Sequence, residues 1–170
     1  MQERKGIITF KGGPLTLLGP EIKVGDKAPN FKVLTNSLGE VTLDNFKGKT
    51  LILSVAPSLD TAVCSTQTHR FNKEVANLPA SVEVLTITAD LPFAQARFCG
   101  AENIKIQTLS DHRDMNFADA YGTHIKELRL EARSLFVVGK DGKIKHVEYV
   151  KEVTTEPDYD KALAAAKADA

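Results

Sequence analysis

The sequence predicts an α/β fold, with a central mixed sheet flanked by helices and an N-terminal β-hairpin extension. Three observations carry that expectation. Leu51-Ile52-Leu53-Ser54-Val55 is an apolar run of strand length, and Val82 to Thr88 is a second, rich in β-branched residues. Between them Phe71, Val75 and Leu78 step at helical spacing, so strand, helix and strand make a βαβ unit with parallel strands. Further on, Arg133 to Val138 and Ile144 to Val150 flank Gly139-Lys140-Asp141-Gly142-Lys143, an antiparallel hairpin pattern.

In chain order, residues 7–10 and 15–18 flank Lys11-Gly12-Gly13-Pro14 as a hairpin, which Gly19-Pro20 ends. Val24 to Asn30 reads as loop. Phe31 to Leu34 and Val41 to Leu43 form another strand pair, followed by a helical turn over 44–48. The central unit is strand 50–55, helix 63–78 and strand 82–88, with Thr61 placed to cap the helix through its hydroxyl. Asp90 is expected to cap a second helix from Leu91, with Pro92 tolerated in its first turn. Leu91, Ala94 and Phe98 are its apolar stripe, Gly100 marks its end, and Cys99 sits beside the stripe. Ser110-Asp111-His112-Arg113 opens a short helix along which Met115, Ala118 and Tyr121 step, with Gly122 at its C′ position. Residues 123–132 read as loop. After the 133–150 hairpin, Thr155-Glu156-Pro157-Asp158 resembles a capping box and opens a last helix with Tyr159, Leu163 and Ala166 facing inward. From residue 50 the order is β-α-β-α-α-β-β-α, the thioredoxin-like plan, which the earlier strands extend.

The totals bound the function. A chain of 170 residues suits one domain, 1–170, with a sizeable core. Twenty-two basic and 22 acidic side chains balance, so no long-range field recruits nucleic acid or a membrane surface. No run of 18 apolar residues could span a bilayer, and Met1 to Lys5 leads into no secretory apolar core. A soluble, cytoplasmic protein is the expectation. Cys64 and Cys99 lie 35 residues apart, which excludes a Cys-x-x-Cys motif. In a reducing compartment the pair is either two inert thiols or a redox device; a bond between them would be worth roughly 3–4 kcal/mol by chain entropy. His69, His112, His124 and His146 form no zinc spacing with the cysteines and are expected at the surface.

Pro57-Ser58-Leu59-Asp60-Thr61-Ala62-Val63-Cys64 is the stretch with chemistry in it. It joins the apolar strand to the helix and sets Cys64 in the first turn, among unpaired N–H groups at the positive end of the dipole. A thiolate is stabilised there, which is one way to make a nucleophile. Spacing alone equally admits a structural Cys64. Stepping back from Phe71 puts Thr68 and Cys64 on the apolar face, where free cysteine packs as a small hydrophobe.

The motif Pro57-x-x-x-Thr61-x-x-Cys64 resembles the active-site motif of the peroxiredoxins. With Gln67-Thr68-x-x-Phe71-Asn72, the run Ala89 to Glu102 (ADLPFAQARFCGAE), Asp119-Ala120-Tyr121-Gly122, Arg133 at a strand start and Thr154 to Tyr159, it is similar to the thiol peroxidase subfamily along essentially the whole chain. One departure is Ala62, where proline is common; its absence is expected to change loop stiffness but not the reaction type.

The resemblance implies an atypical two-cysteine peroxiredoxin that needs no cofactor or metal. Cys64 is then the peroxidatic nucleophile and Cys99 the resolving cysteine of the same chain. Thr61 and Arg133 match the family's other catalytic positions. A hydroxyl and a guanidinium suit a site where a thiolate attacks a peroxide and an alkoxide develops. Without the resemblance, Thr61 reads equally as a plain cap and Arg133 as a solvated strand-end arginine. Pro57 is expected to shape the pocket and Phe93 to lean it towards alkyl hydroperoxides, while Asp60 should point away from the sulfur. Thioredoxin or a similar dithiol is the implied reductant, and a homodimer through the face near the active site is implied as well. A peroxide sensor passing oxidation to a partner protein would use the same sulfenic chemistry. A scaffold that only binds partners would not need the cysteine pair.

Overall fold

The computed structural model describes all of residues 1–170. Its centre is β5 (Thr50–Val55), buried at all six positions because both faces of the sheet around it are covered. On one side β5 pairs in parallel with β6 (Val82–Thr88), and β6 in parallel with β7 (Gln107–Ser110). On the other it pairs antiparallel with β10 (Ser134–Val138), which pairs antiparallel with β11 (Ile144–Tyr149). β3 (Lys32–Leu34) and β4 (Glu40–Thr42) complete the seven-stranded order β11-β10-β5-β6-β7-β3-β4. The sheet is mixed, as the alternation of parallel and antiparallel signals required.

Strand alternation sends Leu51, Leu53 and Val55 to one face and Ile52 to the other. On the Ile52 face pack α1 (Ala62–Glu74) through Phe71, α2 (Pro92–Glu102) through Phe98, and α4 (Tyr159–Asp169) through Tyr159, Ala162, Leu163 and Ala166. On the Leu53 face pack Phe31, Phe46 and α3 (Asn116–Tyr121), whose Phe117 and Tyr121 rings stack at 4.2 Å. None of these helices is long and apolar enough to cross a membrane.

The N-terminal hairpin is longer than the sequence suggests, with β1 (Glu3–Phe10) paired to β2 (Gly13–Leu18). Its two-residue turn, Lys11-Gly12, has positive φ at both positions (49° and 80°), the geometry that matches strand twist. The hairpin continues into a second sheet, β1-β2-β8-β9, through β8 (His124–Ile125) and β9 (Leu130–Glu131). Arg4 ties that sheet to the body: it donates to the carbonyls of Gly19 and Gly122 and lies over the Tyr149 ring.

Several sequence expectations are corrected. Residues 123–132 are not simply loop, since β8 and β9 lie within them; two-residue strands have no periodicity to read. The expected order also lacked β7, whose Gln107-Thr108-Leu109-Ser110 has a single apolar residue. α1 gives way after Glu74 to a 3-10 turn at Val75–Asn77. α2 runs past Gly100 to Glu102, where Asn103 closes it in the left-handed conformation, and its buried face is Pro92, Gln95 and Phe98. α3 starts at Asn116, later than expected, although Asp111 caps it by accepting from the Phe117 and Ala118 N–H groups. Asp158, not Thr155, caps α4, accepting from Lys161 N at 3.2 Å. Only His69 is exposed; the other three histidines are partly buried.

Candidate active site

β5 ends at Val55, and the chain passes through Pro57 to Thr61 before α1 begins. Cys64 is the third residue of α1, so its N–H and those of Ala62 and Val63 have no acceptor within the helix. The sulfur is fully buried, on the same face as Gln67, Thr68 and Phe71. It therefore does lie on the face a structural cysteine would occupy. What it meets there is a guanidinium.

Arg133 immediately precedes β10 and is 1% exposed. Its Nη2 donates to Cys64 Sγ at 3.3 Å, its Nη1 to Gln67 Oε1 at 2.8 Å and its Nε to the Val153 carbonyl at 2.8 Å. Gln67 is held in turn, donating from Nε2 to Ser54 Oγ and to the Val55 carbonyl. Among the groups hydrogen-bonded to this buried cation, only the sulfur can become an anion. A buried charge without a counter-charge is costly, so the arrangement favours negative charge on Cys64.

The loop before Cys64 is fixed by Asp90, whose carboxylate accepts from Ser58 Oγ at 2.6 Å, Leu59 N at 2.7 Å and Thr88 Oγ1 at 2.8 Å. Asp90 was expected to cap α2; the N-cap there is Leu91, with no side-chain bond. A capping aspartate and a loop-bracing aspartate look alike in sequence. Thr61 occupies the N-cap position of α1 in an extended conformation, but its hydroxyl does not cap; it donates to the Ser58 carbonyl at 3.2 Å. Because that proton is committed, the hydroxyl presents lone pairs to the neighbouring cavity. Asp60 pairs with Arg97 on α2 at 3.1 Å and lines a different groove from Arg133.

Pro57, Thr61, Val63 and Arg133 line a cavity of about 360 Å³ together with Phe10 and Lys11 of the hairpin tip and Val153 and Thr154. Phe93 is not brought to it. It stands 66% exposed on α2, off the Pro92-Gln95-Phe98 face, a placement that no local pattern reveals. Ala62 sits at the first helical position, where proline would be sterically acceptable.

Cys99 lies elsewhere on α2, partly buried, with Sγ 3.4 Å from Thr108 Oγ1 on β7. Thr108 donates onward to Asn36 Oδ1, so its oxygen is free to accept from the Cys99 thiol. Both cysteines are free, and they share no partner. No group of three His, Cys, Asp or Glu side chains converges as a metal cage.

Sequence reasoning missed one titratable pair near this site. Glu131, two residues before Arg133, is fully buried against Asp111. Burial first, and then the Asp111 charge, pushes the Glu131 carboxyl well above its usual range. Burial raises the Asp111 carboxyl as well, but the bonds it accepts from Glu131 and from the Ala118 and Phe117 N–H groups oppose that rise, so the proton shared by the two acids belongs with Glu131. Thr123 Oγ1 donates to the other Glu131 oxygen. A raised folded-state pKa means stability that is complete below the ordinary value of 4.5 and is lost as pH rises through the folded value. Glu131→Gln keeps both bonds without a titrating proton. It should melt with wild type at pH 4 but above it at pH 8, by about 2–4 °C for each kcal/mol relieved. Superimposable melting-temperature profiles from pH 4 to 9 would count against the shared proton.

The family model described as Redoxin matches residues 23–163. The chain is 62% identical over 162 residues to the thiol peroxidase of Bacillus subtilis (strain 168), covering 95% of this chain and 96% of that one. It is 59% identical to the thiol peroxidase of Halalkalibacterium halodurans, over 95% of this chain and 97% of that one. Among solved structures, a peroxiredoxin-like protein from Aquifex aeolicus superposes with a TM-score of 0.90 at 38% identity, over 98% of this chain and 99% of that one.

Proposed function

This chain belongs to the redoxin family, in its thiol peroxidase branch of peroxiredoxin enzymes, and on that premise we propose that it reduces hydroperoxides through Cys64, with Cys99 as resolving thiol. The observation that carries the reading is the 3.3 Å bond from the buried, carboxylate-free Arg133 to Cys64 Sγ.

The hydroperoxide enters the cavity beside Thr61 and Arg133. Thr61 Oγ1 accepts from the protonated oxygen, and Arg133 steadies the charge that moves from sulfur to the leaving oxygen. The Cys64 thiolate attacks that protonated oxygen, the distal one, which keeps its hydrogen. An S–O bond forms, the O–O bond breaks, and the departing alkoxide takes a proton to leave as alcohol, or as water from hydrogen peroxide. Cys64 is then a sulfenic acid. Cys99, as thiolate, attacks that sulfur, a water is expelled and an intrachain disulfide forms. Thioredoxin, or a dithiol like it, reduces the disulfide by exchange, which suits a reducing compartment. A homodimer through the face near Cys64 belongs to the same reading, and Phe93, exposed on α2, would meet substrate only if the partner subunit brought it there.

Resolution requires movement. A disulfide needs Cα atoms within about 7 Å. Cys64 must leave Arg133 and Cys99 must leave Thr108, so the first turn of α1 and the last turns of α2 open on oxidation. The test is a coupled assay with thioredoxin, thioredoxin reductase, NADPH and cumene hydroperoxide. Wild type should turn over and lose 2 Da per chain on oxidation, the mass of two hydrogens. Cys99→Ser should consume one equivalent of peroxide and then stop. Hydrogen exchange should rise at 60–70 and 93–101 in the oxidised form. If wild type itself oxidises once and no dithiol recycles it, the chain is a sensor that hands its oxidation to another protein.

A further inference from the structure

Glu152 is hydrogen-bonded to neither Cys64 nor Arg133, yet it ties together the two segments that contribute Phe10, Lys11, Val153 and Thr154 to the lining of the cavity. Its carboxylate accepts five hydrogen bonds. Three come from the hairpin tip: Thr9 Oγ1 at 2.9 Å, Lys11 N at 3.1 Å and Gly12 N at 2.8 Å. Two come from the loop after β11: Thr154 N at 2.9 Å and Thr154 Oγ1 at 2.7 Å. These donors hold the Glu152 carboxyl far below the usual carboxylate range, so it stays an acceptor at any working pH. Beside it the backbones join as well: Thr9 N donates to Lys151 O, and Val153 N to Thr9 O.

The tip's turn is open to solvent, and β1 and β2 end there with no other strand beyond them. Below the tip, Ile8 packs with Val153, Ile125 and Ala132; at the tip itself, the contacts around Glu152 seat it on the body of the protein. They place Phe10 and Lys11 from the tip, and Val153 and Thr154 from the loop, along the cavity. All four stand apart from α1. The polar end of the cavity, at Thr61 and Arg133, has further supports: Asp90 braces the loop there and Gln67 holds the guanidinium, which shares only the Val153 carbonyl with the clamped loop.

We propose that Glu152 is a positioning residue that sets this wall for the organic group of the substrate, and so sets the preference between bulky organic hydroperoxides and hydrogen peroxide. The inference rests on the peroxidase reading above. Every hydroperoxide presents the same O–O end to Cys64 and Arg133. Only an organic one carries a group long enough to rest on Phe10 and Val153. Loosening the tip therefore weakens binding of the organic substrate and leaves the shared chemistry in place, a loss that falls on KM more than on kcat.

The experiment measures kcat and KM for cumene hydroperoxide and for hydrogen peroxide in wild type, Glu152→Ala, Glu152→Gln and Phe10→Ala. Glu152→Ala should raise KM for cumene hydroperoxide about fivefold or more and lower its kcat/KM at least fivefold further than that for hydrogen peroxide. Glu152→Gln, which keeps one acceptor oxygen, should recover part of the difference. Phe10→Ala removes the wall without touching the clamp and should shift the ratio the same way; it carries the test if Glu152→Ala does not melt cooperatively. Equal losses with both peroxides, or an unchanged ratio in Phe10→Ala, overturn the assignment while leaving the peroxidase reading intact. Wild type inert towards both peroxides overturns that reading, and this one with it.

Discussion

Cys64→Ser should have no measurable turnover, a loss of at least about 10⁴-fold in the thioredoxin-coupled assay. Serine fits the same buried space beside Arg133, so folding should survive, and a cooperative melt shows whether it has. What is lost is the atom. Sulfur is polarisable and can carry the negative charge that the guanidinium faces; a serine hydroxyl does not ionise there and is a poor nucleophile towards oxygen. The chain has one other thiol, Cys99, whose sulfur is hydrogen-bonded to the Thr108 hydroxyl and not to a guanidinium. If Cys64→Ser kept more than about a hundredth of wild-type turnover, the first attack would have to be reassigned to Cys99. The assay thus decides between the two thiols as well as between a catalytic and a structural Cys64.

The sequence made parts of this site legible and hid others, for physical reasons that differ by residue. β5, β6 and α1 announce themselves because their apolar positions repeat at periods of two and 3.6, and burial on both faces leaves β5 almost wholly apolar. The strand-to-helix joint then puts Cys64 in a first turn without any tertiary information. Arg133 carries no local signal, since an arginine beside a strand looks the same whether solvated or 1% exposed; only the family pattern picks it out. Gln67 and Asp90 act through partners on other strands, Ser54 and Val55 for one, Ser58 and Leu59 for the other, and such pairings are invisible to periodicity. Asp90 was even assigned a capping role that its chemistry would allow. Phe93 is a different case: its type suits an apolar pocket, but the helix face it occupies, exposed and away from Cys64 within this chain, is settled by how α2 meets the sheet. Glu131 and Glu152 carry no periodic signal that sets them apart from surface acids; the fold buries one beside Asp111 and Thr123 and sets the other among five donors.

Arg133→Met should lower kcat/KM by about 10²–10³-fold, the size of effect seen when one fixed donor to a developing anion is removed. Methionine fills much of the same volume without charge, so the cavity keeps its shape while Cys64 loses its only cationic neighbour. Alkylation of Cys64 by iodoacetamide at pH 7 should slow alongside turnover, because both reactions use the same anion. Arg133→Lys separates charge from geometry. Lysine keeps the positive charge, but one ammonium cannot reach Val153 O, Gln67 Oε1 and Cys64 Sγ in the directions that the planar fork serves together. Its expected place is between wild type and Arg133→Met, with alkylation closer to wild type than turnover is. That ordering follows from two separate tasks. Favouring the thiolate needs only positive charge nearby, whereas stabilising the transition state needs donors held in line with both the sulfur and the leaving oxygen. If lysine restored both rates fully, the three-way hydrogen bonding of Arg133 would be structural. If lysine restored neither, the alignment of the fork would govern even the first ionisation.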